Sequence, residues 1–278
     1  MARIEDYALI GDLHTAALIG RDGSLDWMCL PHFDSPACFA ALLATPEAGR
    51  WLLAPAGGGT CTARRYRGET LVLETEWHSQ EGSVRVVDLM PPRGDKADVV
   101  RIVEGITGTV SMTMDLRLRF DYGHVMPWVT HQEQGIRAVA GPDAACLRSP
   151  VPVQGRGTAT IADFRVSAGD SVPFVLTWAP SHHAQPEPVD AATALRETAA
   201  FWEEWSGRSQ VQGRYRDAVQ RSLITLKAMT FDPTGGIVAA ATTSLPEQIG
   251  GPRNWDYRYC WLRDSALTLQ SLLGAGYV

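Results

Sequence analysis

The sequence predicts a mainly β chain: an antiparallel β-sandwich over its first two-thirds, followed by a helical segment. Three observations carry this. Short runs rich in β-branched residues fill the first 180 positions, turn signals punctuate them at close spacing, and the hydrophobic period changes near residue 190.

The strand candidates are "TLVLETEW" (70–77), "GSVRVVDLM" (82–90), "VVRIVEGITG" (99–108), "TVSMTMDLRLRF" (109–120) and "DSVPFVLTWAP" (170–180). In the fourth, Met112, Met114, Leu116, Leu118 and Phe120 share one face, and Ser111, Thr113, Asp115, Arg117 and Arg119 share the other. That alternation marks a strand with one face in a core. "RDGS" (21–24), "PAGGGT" (55–60), "SQEGS" (79–83), "TGT" (107–109) and "AGD" (168–170) read as turns between such runs. A parallel α/β fold would need helices between the strands, and none is legible before about residue 190.

"PSHHAQPEPVD" (180–190) is polar and proline-rich, a connector. Beyond it, Leu195, Thr198, Trp202 and Trp205 fall near one face of a helix. A second helix is expected over 214–231, with Tyr215, Val219, Leu223, Leu226 and Thr230 at helical spacing and Pro233 and Gly235-Gly236 ending it. A third is expected to begin at Ser265, with Ala266, Leu269 and Leu273 on one stripe. Three helices alone do not bury their apolar faces, which predicts a fragment of a longer protein.

Composition narrows the function. The 278 residues are long enough for two domains, and 45% apolar with 20% charged residues is the balance of a soluble globular protein. A net charge of −6 without a basic stripe argues against nucleic acid as a partner. The N-terminus lacks the pattern of a signal peptide, and no apolar run is long enough to span a bilayer, so no membrane partner is expected. Five scattered cysteines without a CxxC pair suit reduced thiols and a cytoplasmic location. The seven histidines do not recur at metal-ligand spacing, and the adjacent His182 and His183 read as a solvated loop pair; no metal and no cofactor is expected.

The chemically dense segment is "NWDYRYCWLRDSALTL" (254–269). Trp255, Tyr257 and Trp261 supply rings on which the C–H faces of a sugar can pack. Arg263 supplies only donors and Asp264 only acceptors, so the pair can clamp vicinal hydroxyls where the first turn of a helix exposes its free amides. Blander readings stand beside this one. Asp264 is a competent helix N-cap, although Leu267 three residues on denies it a capping box. Arg263 and Asp264 could form an ordinary ion pair, and the aromatics could be core.

This segment closely resembles the start of the catalytic domain of bacterial glycoside hydrolase family 15, the glucoamylase and trehalase-like proteins. "IEDYALIGDLHTAALIGRDGSLDWMCLPHFDSPACFAALL" (4–43) is similar to the N-terminus of that family, and "TGGIVAAATTSLPEQIGG" (234–251) to the segment before its substrate motif. The resemblance implies a β-sandwich N-terminal domain (1–182), a helical linker (183–211) and the first helices of an (α/α)6 toroid of six hairpins, cut short (212–278). It also implies inverting hydrolysis of α-glucosidic bonds. Arg263 and Asp264 would bond the innermost glucosyl unit, Tyr257 would lie beside the reacting centre, and Trp261 would wall the pocket; Trp255 and Asp256, which match the same motif, would be further substrate-binding residues. The catalytic acid and base, about 6.5–9.5 Å apart in an inverting enzyme, would be glutamates on loops downstream of residue 278. The pairs Glu74/Glu76 and Glu203/Glu204 read as solvated faces.

The leading expectation is therefore part of a glucoamylase-like enzyme that releases glucose from α-glucans or oligosaccharides. Its partner would be the remainder of the catalytic domain, with a homo-oligomer left open. The alternatives are a trehalase of the same family and a non-catalytic β-sandwich that packs on a catalytic domain or binds carbohydrate. For the last, Trp77, Trp128 and Trp178 are the residues to watch.

Overall fold

The computed structural model describes residues 3–277; Met1, Ala2 and Val278, the outer ends of the first and last expected domains, lie outside the described residues. The chain is mainly β. Among the described residues fifteen strands join one antiparallel system, and the path through it runs from Tyr7–Gly11 at one end to Trp128–Gln132 at the other.

The centre of that system is a single strand, Ala97–Arg117. Its first half pairs with Gly82–Leu89 and Ser171–Pro180, and its second half with Arg50–Pro55 and Ala159–Ser167. Two strands with a turn at 107–109 were expected here, and the structure corrects this. Gly108 adopts φ +69° without ending the strand, because Gly82 pairs with it and Ser167 pairs with Thr109. A Cβ at Gly108 would lie 2.1 Å from the Glu81 carbonyl oxygen, and one at Gly105 would lie 2.0 Å from that of Ser167. Glycine thus lets the strand bend from one half of the sheet system into the other while neighbouring backbones close in.

Residues from both halves meet in one apolar core that includes Trp51, Leu53, Val86, Val99, Met112, Met114, Leu147 and Phe174. Met112, Met114, Leu116, Leu118 and Phe120 are all buried, as their alternation predicts. Arg119, assigned to the polar face, is buried too, its guanidinium donating to Leu118 O and to Thr158 O and Oγ1.

Helix α1 (Ala191–Ser206) starts at Asp190, whose side chain accepts from the Thr193 amide at 2.8 Å. Ala191 and Ala194 pack on Val87, Leu89, Val100 and Val175, which belong to the sheet face turned away from the main core. Trp202, fully buried, joins Leu13, Leu71, Ile224 and Ala228 and so binds the β-domain to helix α2 (Arg216–Ala228). The buried face of α2 is Gln220, Leu223, Ile224 and Ala228. The expected stripe was read partly from the wrong side: Tyr215 is 67% and Val219 38% exposed, because the contact with Trp202 selects the neighbouring face.

Helix α3 spans Leu262–Gly274 and begins three residues earlier than expected. Trp261, extended at φ −93° and ψ 125°, is its N-cap residue, and its carbonyl accepts the first helical bond from Ser265 N at 2.9 Å. Asp264 is therefore inside the first turn instead of capping it. The apolar stripe Ala266, Leu269 and Leu273 is left unburied, as expected of three helices alone: Leu269 is 52% and Leu273 60% exposed, whereas Thr268 is buried.

Candidate functional site

The segment before α3 is held by an irregular pair of extended segments. Ala239 N donates to Tyr259 O, Ala240 N to Tyr257 O, Ser244 N to Trp255 O and Glu247 N to Arg253 O. Trp27, buried with Cys29, Ala37 and Ala40 in a small cluster apart from the main core, anchors the first segment by donating its indole N–H to Ala241 O at 2.7 Å. The motif thus arrives at α3 already fixed to the β-domain.

Trp255, Tyr257 and Trp261 come together as an edge-to-face cluster, with Trp261 5.5 Å from Tyr257 and 6.4 Å from Trp255. The Arg263 guanidinium lies 6.0 Å from the Trp261 ring. It pairs with Asp264, Nη2 to Oδ2 at 3.0 Å, on the exposed start of α3. Among the described residues no hydrogen bond reaches Asp264 Oδ1 or Arg263 Nη1, so the pair retains acceptor and donor capacity for a ligand. The Trp255 indole donates to Glu247 Oε1 at 2.9 Å, and the Trp261 indole to Asp256 O at 2.9 Å.

Asp256 is engaged differently. Its Oδ1 accepts from Arg258 N and Nε, both at 3.0 Å, and its Oδ2 accepts from Arg258 Nη2 at 2.7 Å. Arg258, only 7% exposed, also donates to Ser35 O at 2.8 Å, approaches Cys29 Sγ at 3.4 Å, and lies 5.6 Å from the Tyr122 ring. Sequence reading missed Arg258, because its β-domain partners are more than 130 positions away in the chain. Tyr122 itself sits at φ +56°, beside Asp121 at φ +51°. Burial pushes the Cys29 thiol up to about 11, so the sulfur beside Arg258 is protonated near neutrality.

Hydrogen bonds from Arg258 hold the Asp256 carboxyl below its usual range, against a smaller opposing effect of burial. A depressed carboxylate stabilises the fold fully above its unfolded pKa, about 3.9, and loses that contribution as pH falls through the folded value. Thermal melts of Asp256→Asn against the unmodified chain are expected to differ at pH 7 and to begin converging only as pH falls below about 4. A constant difference down to pH 2.5 would contradict the pairing.

The other carboxylate pairs have structural partners. Glu74, expected on a solvated face, is buried instead and binds Arg65 and Arg67; the half-buried Glu76 binds Arg65 and Arg85; Glu204 binds Arg208 one helical turn away, beside an exposed Glu203. Of the watched tryptophans, Trp77 is buried and Trp178 is half-buried, donating to Asp143 Oδ1. Trp128 is 78% exposed, beside a groove of about 310 Å³ with Met126, Arg119 and His131 in its walls. His182 and His183 are exposed, and no group of three or more His, Cys, Asp or Glu suited to a metal occurs among the described residues. No described helix is long and apolar enough to cross a membrane.

Two family models match the chain: trehalase-like, N-terminal, over residues 1–202, and glycosyl hydrolases family 15 over residues 213–278. The chain is 34% identical over 302 residues to the trehalase of Mycobacterium tuberculosis, a match covering 98% of this chain and 44% of that one. It is 35% identical to the trehalase of Mycolicibacterium smegmatis, over 98% of this chain and 45% of that one. The trehalase of Thermoplasma volcanium is 30% identical, over 99% and 45%. A crystal structure of a bacterial glucoamylase complexed with acarbose has the same fold at a TM-score of 0.66 and 10% identity, covering 99% of this chain and 48% of that one. The chain spans less than half the length of the curated relatives it matches.

Proposed function

The chain belongs to the trehalase-like proteins of glycoside hydrolase family 15, and from that premise we propose that residues 1–278 supply the β-domain and the first substrate-binding wall of an inverting α-glucoside hydrolase acting on trehalose. The observation that carries the proposal is the cluster at the start of α3: two indoles and a phenol edge to face, adjoined by an exposed Arg–Asp pair. Trp261 and Trp255 pack against the glucosyl ring, Tyr257 lies beside the anomeric carbon, and Arg263 and Asp264 bond its hydroxyls. Asp256, with both carboxylate oxygens on Arg258, holds this wall in place.

The proposed organisation is a β-domain over 1–182, a helical linker over 183–211 and the opening of an (α/α)6 toroid from 212. The acid that protonates the leaving oxygen and the base that activates water come from the rest of that toroid. Glu74 and Glu76 are tied into ion pairs with Arg65, Arg67 and Arg85, which withdraws them from that role.

Between the two activities, trehalase takes precedence over the glucoamylase reading that the sequence first suggests. The support is identity of 30–35% to trehalases over nearly all of this chain, against a glucoamylase likeness that is one of fold alone. The test is glucose release from trehalose and from maltose by a completed domain, in which residues 1–278 are joined to the remaining part of a family 15 toroid. Trehalose is expected to be the better substrate by kcat/KM; a preference for maltose would restore the glucoamylase reading. Residues 1–278 alone are expected to release no glucose above a blank from either sugar.

One observation favours a second reading, carbohydrate binding by the β-domain itself: the exposure of Trp128 beside its groove. A sugar stacked there would contact one ring and lie at the edge strand Trp128–Gln132.

A further inference from the structure

The Arg258–Asp256 pair does more than join two parts of the chain. Arg258 is buried where the substrate motif meets three separate parts of the β-domain: Cys29 at the end of one strand, Ser35 in the following loop, and Tyr122 in a turn between distant strands. Its guanidinium forks, one arm on Asp256 Oδ2 and the other on Ser35 O, with Nε on Asp256 Oδ1. The carbonyl of Asp256 in turn accepts the indole N–H of Trp261 at 2.9 Å. Trp261 touches Tyr257 and Trp255 edge to face, lies under Arg263, and is the residue from which α3 starts. A continuous run of contacts therefore leads from the β-domain through Arg258, Asp256 and Trp261 to the residues placed against the sugar.

We infer that Arg258 is a positioning residue: through Asp256 it sets the orientation of the Trp261 indole, and so makes the β-domain a working part of the sugar pocket. Only arginine satisfies the geometry, since the planar fork reaches a carboxylate and a carbonyl on opposite sides at once; lysine carries the charge without the fork. The inference rests on the proposed sugar site for its effect on catalysis, but its structural step, from Arg258 to Trp261, is measurable without any activity.

The test has two arms. In residues 1–278, hydrogen exchange of the tryptophan indole N–H groups is followed by NMR. Arg258→Lys is expected to speed exchange at Trp261 by about tenfold or more, as a bond whose acceptor is no longer held opens more often, and to leave Trp27 unchanged. Trp27→Phe, which removes the bond to Ala241 O, serves as the control for general loosening of the same junction and is expected to leave Trp261 protected. In the completed domain, Arg258→Lys is expected to lower kcat/KM by about 10²-fold, the scale of a misplacement transmitted to the reacting groups. Trp27→Phe is expected to lower the melting temperature with kcat/KM unchanged. Trp261→Phe, which lacks the indole N–H, is expected to be non-additive with Arg258→Lys, the double variant losing no more than the worse single one.

Unchanged exchange at Trp261 in Arg258→Lys, or equal loss of activity in Trp27→Phe, overturns the inference. A completed domain that turns over no α-glucoside overturns the proposed function instead, and leaves the exchange measurement to decide this one.

Discussion

Replacing Arg101 by methionine is expected to destabilise the chain by about 3–5 kcal/mol, the cost of leaving a buried charge without its partner. Arg101 and Asp88 are among the least accessible charged groups of the chain, with side chains 0% and 1% exposed. Arg101 Nε donates to Asp88 Oδ1 at 2.7 Å, Nη1 to Trp51 O at 2.6 Å and Nη2 to Gly23 O at 2.8 Å. Asp88 and Arg101 lie in the half of the sheet system built on Gly82–Leu89, whereas Trp51 and Gly23 belong to the other half. One guanidinium thus ties both halves together, and it lies 5.1 Å from the Trp51 ring.

Methionine fills much of the space but strands the Asp88 carboxylate, whose Oδ2 already finds no partner among the described residues. The double variant Arg101→Met with Asp88→Leu is expected to recover a substantial part of the loss, because it removes the stranded charge. Denaturant midpoints at constant m measure both. A loss below about 1 kcal/mol for Arg101→Met would show that solvent, not protein, balances Asp88.

In the completed domain, Arg263→Ala and Asp264→Asn are each expected to lower kcat/KM for trehalose by about 10²–10³-fold. That is the scale of losing one preorganised, charge-assisted group in an active site. The same changes should cost little stability, below about 1 kcal/mol, since the pair is local and largely exposed, Arg263 at 65% and Asp264 at 30% of their side chains. Arg263→Lys is expected to fall between, retaining charge but not the fork. Both residues sit in the first turn of α3, where free amides add donors for the same hydroxyls and Asp264 is favoured by the helix dipole. A large drop in melting temperature with unaltered kcat/KM would reverse the assignment and make the pair structural.

The sequence was most informative where one local pattern decided the outcome. Alternation over 112–120 places Met112, Met114, Leu116, Leu118 and Phe120 in the core, and each is there. It was least informative where a distant partner decides. Gly108 reads as a turn because nothing nearby reveals that Gly82 and Ser167 will pair on either side of the bend. The face of α2 was misread because Trp202, on another helix, selects Ile224 and Ala228 over Val219. The start of α3 escaped because Trp261 lacks a capping side chain and enters the helix by backbone geometry alone. Within the candidate site, the aromatic and Arg–Asp residues were legible by type, whereas Arg258 was not, its contacts being set by loops of the β-domain.

The central claim, that sugar is held by residues 255–264, is tested most directly by titrating residues 1–278 with trehalose and with glucose while following all nine tryptophan indole signals by NMR. The predicted result is a saturable shift of Trp255 and Trp261, abolished in Arg263→Ala, with Trp128 and Trp178 unmoved. A shift confined to Trp128, persisting in Arg263→Ala, would contradict it and place the carbohydrate on the β-domain groove.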